Sequence, residues 1–222
     1  MKKVLVVLII ILICTSVFAT STIGVAFAGD LFTFKNLDGD ACSTFGIGAG
    51  ATGEVEINEK LGLYADAGVY FPSSYKEGTE TITKEGLRTG LSDCTSVTAS
   101  MFLTNANFGV FYRVVDNGPI LFNAGGGLEL ESFAVKATGT KNSLTQGTKL
   151  RFINCGLSLY ADARYMISDE FSVGFAVIPK MSLYSSITDT TIINSIYTYE
   201  TKAGFSADFA VKAAISATYH FI

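Results

Sequence analysis

The sequence predicts an all-β protein: an eight-stranded antiparallel up-and-down transmembrane β-barrel, preceded by a cleavable signal peptide. Apolar and polar residues alternate along eight segments, and the connections between these segments alternate between short and long. The mean hydropathy is +0.39, yet no apolar run after the N-terminal segment is long enough for a transmembrane helix. Because successive strand side chains point to opposite faces, apolar residues that alternate indicate β-structure.

The C-terminal segment 205–222 carries the clearest alternation. One parity is entirely apolar, and the other parity is largely polar, with Asp208, Lys212 and His220. The apolar parity consists of Phe205, Ala207, Phe209, Val211, Ala213, Ile215, Ala217, Tyr219 and Phe221. The segment is therefore predicted to be one strand, longer than most strands in soluble proteins.

The same period of two divides the rest of the chain into strands and connections. The predicted strands lie near 22–34, 44–57, 61–71, 96–114, 119–135, 149–167, 171–185 and 205–222. Tight turns are predicted at 58–60, 116–118 and 168–170, and long polar loops near 35–43, 72–95, 136–148 and 186–198. Short turns on one side and long loops on the other are typical of bacterial outer-membrane barrels.

The N-terminal residues 1–19 are predicted to be a secretory signal peptide, which leaves 20–222 as the barrel domain. Lys2 and Lys3 precede an apolar core, and small residues around Ala19 provide a cleavage site. A second possible site at 26–28 is disfavoured because cleavage there would remove most of the first strand. Pro179, in the seventh segment, is predicted to mark a bulge or the upper rim.

The polar faces of the strands are predicted to point into the barrel. A soluble barrel would have the opposite orientation, and its polar face would be dense in charge, whereas these faces carry one or two charges per strand. Because a Lys or Arg facing mid-bilayer lipid costs roughly 2–4 kcal/mol, these residues must turn inward in a membrane. The predicted lumen network consists of Glu54, Glu56, Asp66, Arg113, Glu129, Glu131, Asp162, Arg164, Asp208 and Lys212.

The string Tyr-Ala-Asp-Ala occurs twice, at 64–67 and 160–163. Asp66 and Asp162 could form a pair that gates the lumen. The favoured interpretation is structural: each inward carboxylate is paired with an inward cation, namely Arg113, Arg164 or Lys212.

Three cysteines remain after the signal peptide, at positions 42, 94 and 155. Export permits disulfides, and Cys42 and Cys94 are predicted to lie on the same side of the membrane. They form either a disulfide or two free thiols. Cys155 lies on an apolar strand face and is expected to behave as a small hydrophobic residue.

Motifs for catalysis or cofactor binding are weak. The glycines at 48–53 match the spacing of a dinucleotide-binding loop, but they alternate inside a predicted strand rather than opening a helix. His220 is the one histidine, placed at the periplasmic end and interpreted as a polar residue of the lumen end or of the membrane interface. We therefore expect no enzyme activity, no metal site and no cofactor.

The charge balance argues against a nucleic-acid partner. Without Lys2 and Lys3, 20 acidic residues face the remaining 14 of the 16 basic residues, a net charge of about −6. Charged residues make up 16% of the chain, against about 25% in a typical soluble domain.

In strand number, loop asymmetry and the terminal strand AISATYHFI (214–222), the chain resembles the eight-stranded outer-membrane proteins of the A, X and W types. The resemblance covers the whole mature chain and implies location in the cell outer membrane. It also implies that periplasmic chaperones and the barrel-assembly machinery are partners during biogenesis, and that outer-membrane lipid surrounds the barrel. The chain ends in Phe221-Ile222 rather than in an aromatic residue, which departs from the usual terminal signal.

The leading functional hypothesis is a non-enzymatic surface protein. Because eight strands enclose an interior that side chains can fill, no open channel is expected. The barrel would anchor loops that serve envelope integrity or the recognition of a host or envelope partner. The alternatives are a narrow pore or hydrophobic conduit for small solutes and, with less support, a lipid-modifying enzyme.

Overall fold

The computed structural model describes residues 21–221, and the predicted signal peptide lies outside the described residues. Alternating residues in ten segments form β-strands, and one short helix lies between the fourth and fifth. The strands are β1 (Ser21–Lys35), β2 (Ala41–Glu56), β3 (Leu61–Glu77), β4 (Glu80–Thr83), β5 (Thr95–Asn117), β6 (Ile120–Lys141), β7 (Leu144–Met166), β8 (Phe171–Ile193), β9 (Ile196–Phe205) and β10 (Phe209–Phe221); the helix is α1 (Lys84–Thr89).

Eight of the strands close into an antiparallel barrel, which confirms the predicted fold class. Neighbouring strands pair in the order β10-β1-β2-β3-β5-β6-β7-β8, and β10 pairs with β8 to complete the ring. The closing ladder runs from Ser21 opposite Phe221 to Phe32 opposite Ala210. Closure pairs the backbone groups of both strands that would otherwise form open edges, as a hydrocarbon environment requires.

The outer surface of the barrel carries an apolar belt that is at least as long as the roughly 9–11 residues that a tilted transmembrane strand needs. It lies between Ile23 and Thr33 on β1, and between Ile120 and Ala134 on β6. Its large apolar members are exposed, among them Val25, Phe27, Ile47, Phe71, Phe108, Leu128, Leu159, Phe175 and Ile215. The polar parity of the same strands is buried inside the barrel, in agreement with the predicted orientation.

Two of the predicted long loops are instead β-hairpins. Residues 136–148 and 186–198 continue the ladders of β6 with β7 and of β8 with β9. Each hairpin ends in a two-residue turn with positive φ at both positions, Asn142-Ser143 and Asn194-Ser195, as a type I′ turn requires. The prediction failed because Thr-rich polar strands resemble loops in composition, although β-branched Thr favours strands.

The other deviations from the prediction lie on the same side of the barrel. The loop predicted at 72–95 contains the end of β3, the strand β4 and the helix α1. The C-terminal strand predicted over 205–222 is interrupted at 206–208, where the chain passes from β9 to β10. Within the described residues, no helix has the length and apolar character needed to span a bilayer.

Replacing Leu128 with Arg tests the position of the apolar belt. Leu128 lies midway along the outward face of β6 and is exposed. A cation at this depth should destabilise the barrel by about 2–4 kcal/mol, whereas near the interface the cost falls to about 0–1 kcal/mol. Urea unfolding in lipid vesicles measures the change, with Thr138→Arg, on the same face above the belt, as the matched control. Equal effects of both variants would contradict this assignment of the belt.

Candidate functional site

The barrel interior has an apolar extracellular half and an ionic periplasmic half. The apolar half is an aromatic cluster made of Phe32, Phe34, Tyr70, Tyr75, Phe133 and Phe152, all buried. The ring centroids of Phe34 lie 4.0 Å from Phe152 and 5.6 Å from Phe133. At these separations the rings leave no open passage between them.

Two lysines neutralise carboxylates in the middle of the barrel. Lys180 Nζ donates to both carboxylate oxygens of Asp30, at 3.0 and 2.9 Å, and also bonds to Glu131. Lys212 pairs with Asp66. The amides of Asn105 and Asn107 donate to Asp30 at 2.6 Å and to Asp66 at 2.9 Å. Charges removed from water in this way require both a counter-ion and further hydrogen bonds.

A second ionic group lies nearer the periplasmic end. Tyr160 Oη donates to Glu54 Oε1 at 2.6 Å, and Arg164 pairs with both Glu54 and Asp162. The ring of Tyr64 stacks on Tyr160, with centroids 4.3 Å apart. These side chains come from β2, β3 and β7, so the group bridges the lumen.

The space that remains between the two ionic groups is small. A cavity of about 20 Å³ is lined by residues that include Glu54, Asp66, Tyr160 and Lys212. This volume accommodates about one water molecule. The cavity therefore gives no passage to a solute.

The remaining residues of the predicted network lie at other heights in the barrel. Glu56 pairs with Arg113 at the periplasmic rim. Glu129 is buried beside Lys180 and Ser182. Asp208 bonds to Ser206 at the interruption between β9 and β10. The structure thus distributes the ten predicted residues over several local groups rather than one continuous network.

Asp30 and Lys180 were missed by the sequence reasoning. Asp30 lies on the inward parity of β1 between Ala28 and Phe32, and Lys180 directly follows Pro179 on β8. The alternation of inward and outward residues along β1 and β8 would have predicted that both side chains point into the barrel. Their pairing could not be inferred because they are 150 residues apart in the chain.

His220 has a hydroxyl partner that the sequence did not reveal. Its Nε2 lies 2.8 Å from Ser172 Oγ, on the neighbouring strand β8. The side chain of Ser172 faces the interior, and the residue is only 1% exposed. The pair connects β8 to β10 at the periplasmic end of the barrel.

Of the two alternatives for Cys42 and Cys94, the structure has two free thiols and no disulfide between them. Cys42 is buried between β1 and β3, opposite Phe34 and Glu77, whereas Cys94 packs near Gly139 of β6. Burial, with a contribution from Glu77, raises the pKa of the Cys42 thiol to about 12. The thiol is therefore protonated at neutral pH, and its reactivity is low.

The side chains of residues 21–221 show no arrangement for a metal ion or a dinucleotide. In this part of the chain, no three His, Cys, Asp or Glu side chains are arranged to hold a metal ion. The glycines at 48–53 lie within β2. They neither follow a strand nor open a helix, as a dinucleotide loop requires.

Five strands continue beyond the apolar belt on the side opposite the short turns. We call the upper parts of β5 to β9 (95–101, 135–141, 144–152, 184–193 and 196–205) the extracellular sheet. β9 contains ten residues, which corresponds to about 30 Å along the strand. It pairs with β8 alone, so one edge of the sheet is open. The side chains of β9 are exposed, and the exposed fraction of Tyr199 is 75%.

Replacing Lys180 with Met tests the central ion pairs. The variant leaves Asp30 and Glu131 buried without their cation, and breaking such a pair costs about 3–5 kcal/mol. Lys141→Met is the matched control because Lys141 pairs with Asp93 at an exposed site, at 3.3 Å, where a pair contributes at most about 1 kcal/mol. Urea unfolding in vesicles should show a large loss of stability for the first variant only. Similar small losses for both variants would contradict the pairing.

The comparisons with known proteins concern the fold. No family model matches the chain, and no curated protein matches its sequence. A major outer membrane protein from Thermus thermophilus matches with a TM-score of 0.58 and 14% identity, over 90% of this chain and 99% of that one. The outer membrane protein OprG from Pseudomonas aeruginosa matches with 0.57 and 16%, over 92% and 96%.

The outer membrane protein AlkL, solved in DMPC lipid bilayers, matches with a TM-score of 0.52 and 10% identity, over 92% of this chain and 90% of that one. At such low identities the likeness establishes the fold and leaves activity open. The chain has the eight-stranded fold of bacterial outer-membrane β-barrel proteins, and this fold, together with the apolar belt, locates it in the cell outer membrane.

Proposed function

We propose that the protein is a non-enzymatic surface protein whose barrel anchors the extracellular sheet for recognition of a partner outside the cell. The observation that carries the proposal is the sheet itself, in which the ten residues of β9 run for about 30 Å along the strand. A barrel that only filled the membrane would not need this extension. Because the interior of this barrel is closed, the outer surface is where the protein can contact other molecules.

The open edge of β9 favours binding of an extended polypeptide. An edge strand presents unpaired backbone N–H and C=O groups, to which another strand can pair. Tyr197, Tyr199 and Phe205 are exposed along β9 and would supply contacts for the side chains of the added strand. Soluble proteins usually protect such an edge, so an exposed one suits a binding role.

The interior gives little support to an enzymatic role. Ser172 and His220 are within hydrogen-bond distance, but the serine is nearly inaccessible to a substrate. A nucleophilic serine also needs a site for the reacting atom and for the oxyanion. We therefore interpret the pair as a structural contact between two strands.

Shortening the β8–β9 hairpin tests the proposed recognition. Asp189 and Glu200 are directly opposite each other, so replacing 190–199 by Asn-Gly removes the tip and keeps a favoured two-residue turn. Cells that express this variant should adhere to surfaces coated with extracellular-matrix protein no better than cells without the protein. The barrel itself should still show heat-modifiable mobility on a denaturing gel.

The matched control shortens the β6–β7 hairpin in the same way. Ala137 and Thr148 are opposite each other, and Asn-Gly replaces 138–147. Because this hairpin lies inside the sheet rather than at its open edge, adhesion should be reduced less. If wild-type cells adhere and neither shortened hairpin changes adhesion, the proposed role of the sheet is wrong.

A hydrophobic conduit is the second candidate, favoured by the aromatic cluster and by a gap in the backbone pairing of β7 with β8. The β7–β8 ladder lacks pairs between Ser158 opposite Lys180 and Ala161 opposite Val177. Pro179, which has no N–H to donate, lies in this gap. The proline was expected at a bulge or at the upper rim; it lies within the belt. An apolar solute could pass the aromatic rings only if they move apart.

Transport measurements with purified protein distinguish the two candidates. For a closed anchor, planar bilayers should show no reproducible unitary conductance, and vesicles should take up an apolar fluorescent solute at the rate of protein-free vesicles. Faster uptake that is abolished by Phe34→Arg, with heat-modifiable mobility retained, would favour the conduit. Phe45→Tyr, on the outer surface of β2, is the control that should leave uptake unchanged.

A further inference from the structure

Charge is divided between the two faces of the extracellular sheet. The outward positions of β6 and β7 above the belt carry Lys136, Lys149 and Arg151 among threonines and one glycine. The inward positions of β8 and β9 carry Asp189 and Glu200. No Asp or Glu occupies an outward position of these four strands above the belt.

The three outward cations lie close together and have no counter-ion. Lys136 is directly opposite Lys149, and Arg151 is opposite Ala134, diagonal to Lys136. Like charges that face each other across a ladder destabilise it. None of the three forms an ion pair with a carboxylate of the described chain. An external anion would remove this repulsion.

The position of the cations relative to the bilayer identifies the anion. On the outward face of β7, Arg151 is the next residue above Ile153, and on the outward face of β6, Lys136 is the next residue above Ala134. Arg151 and Lys136 are therefore the first charged residues above the apolar belt. Lys136 and Arg151 are exposed, and Lys149 Nζ lies 5.1 Å from the centre of the Tyr197 ring. Side chains at this height lie at the level of the lipid headgroups.

We propose that Lys136, Lys149 and Arg151 bind the phosphate groups of a phosphorylated glycolipid in the outer leaflet. The acyl chains of the lipid would lie against the apolar belt beneath, and the cations would pair with the phosphates. Hydroxyl groups of Thr138 and Thr190, on the same face, can donate to sugar oxygens. The belt favours a lipid over free phosphate because it is continuous with the cationic group and contacts the acyl chains.

The test uses the folded mature protein in mixed micelles titrated with diphosphorylated lipid A, dephosphorylated lipid A or inorganic phosphate. We expect binding to the phosphorylated lipid only. In the variant K136Q/K149Q/R151Q, affinity should fall by about fivefold for each charge removed, on the order of 100-fold in total. If the triple variant does not fold, as judged by heat-modifiable mobility, the single variant Lys149→Gln should still show the fivefold loss.

The control variant K84Q/R88Q/K141Q removes the same number of positive charges from α1 and the β6–β7 tip. It should keep the wild-type affinity. The proposal is overturned if the control loses as much affinity as the test variant, or if the dephosphorylated lipid binds equally well. Binding of inorganic phosphate as tight as that of the lipid would instead assign the cations to a free anion.

Discussion

The pairing of β1 with β10 is the interaction on which the rest of the structure depends. A membrane offers no water to unpaired N–H and C=O groups, so a sheet can exist there only as a closed ring. Closure at eight strands then determines the width of the interior, which side chains are able to fill. Both the apolar belt and the enclosed charges follow, because each strand has one face toward lipid and the other toward this narrow space.

The enclosed space is blocked at two heights by two different kinds of contact. Aromatic rings pack against one another in the extracellular half, and ion pairs with amide hydrogen bonds occupy the periplasmic half. Aromatic packing needs no counter-ion, whereas the buried carboxylates of Asp30 and Asp66 are each paired with a lysine, Lys180 and Lys212 respectively. Aromatic packing and ion pairs thus join the strands of the same barrel wall, the first by apolar contact and the second by attraction between opposite charges.

The eight strands of the ring, the face of each strand and the three short turns could be predicted because each depends on residues that are close in sequence. Parity alone places Glu129 inside and Leu128 outside. The partner of Asp30 could not be predicted, since it depends on register and shear summed over several strands. The extracellular hairpins were missed for a local reason: Asn142-Ser143 is a weaker turn signal than Asn-Gly, and the threonines beside it were interpreted as solvent-exposed loop.

The central ion pairs join the beginning of the chain to its end. Asp30 and Lys180 are 150 residues apart, and Asp66 and Lys212 are 146 apart. During assembly of the barrel the early carboxylates therefore lack their lysine partners until the last two strands have joined the ring. A half-built barrel would expose these carboxylates to hydrocarbon, which is costly. Insertion into the bilayer and completion of the ring are consequently expected to occur as one concerted event.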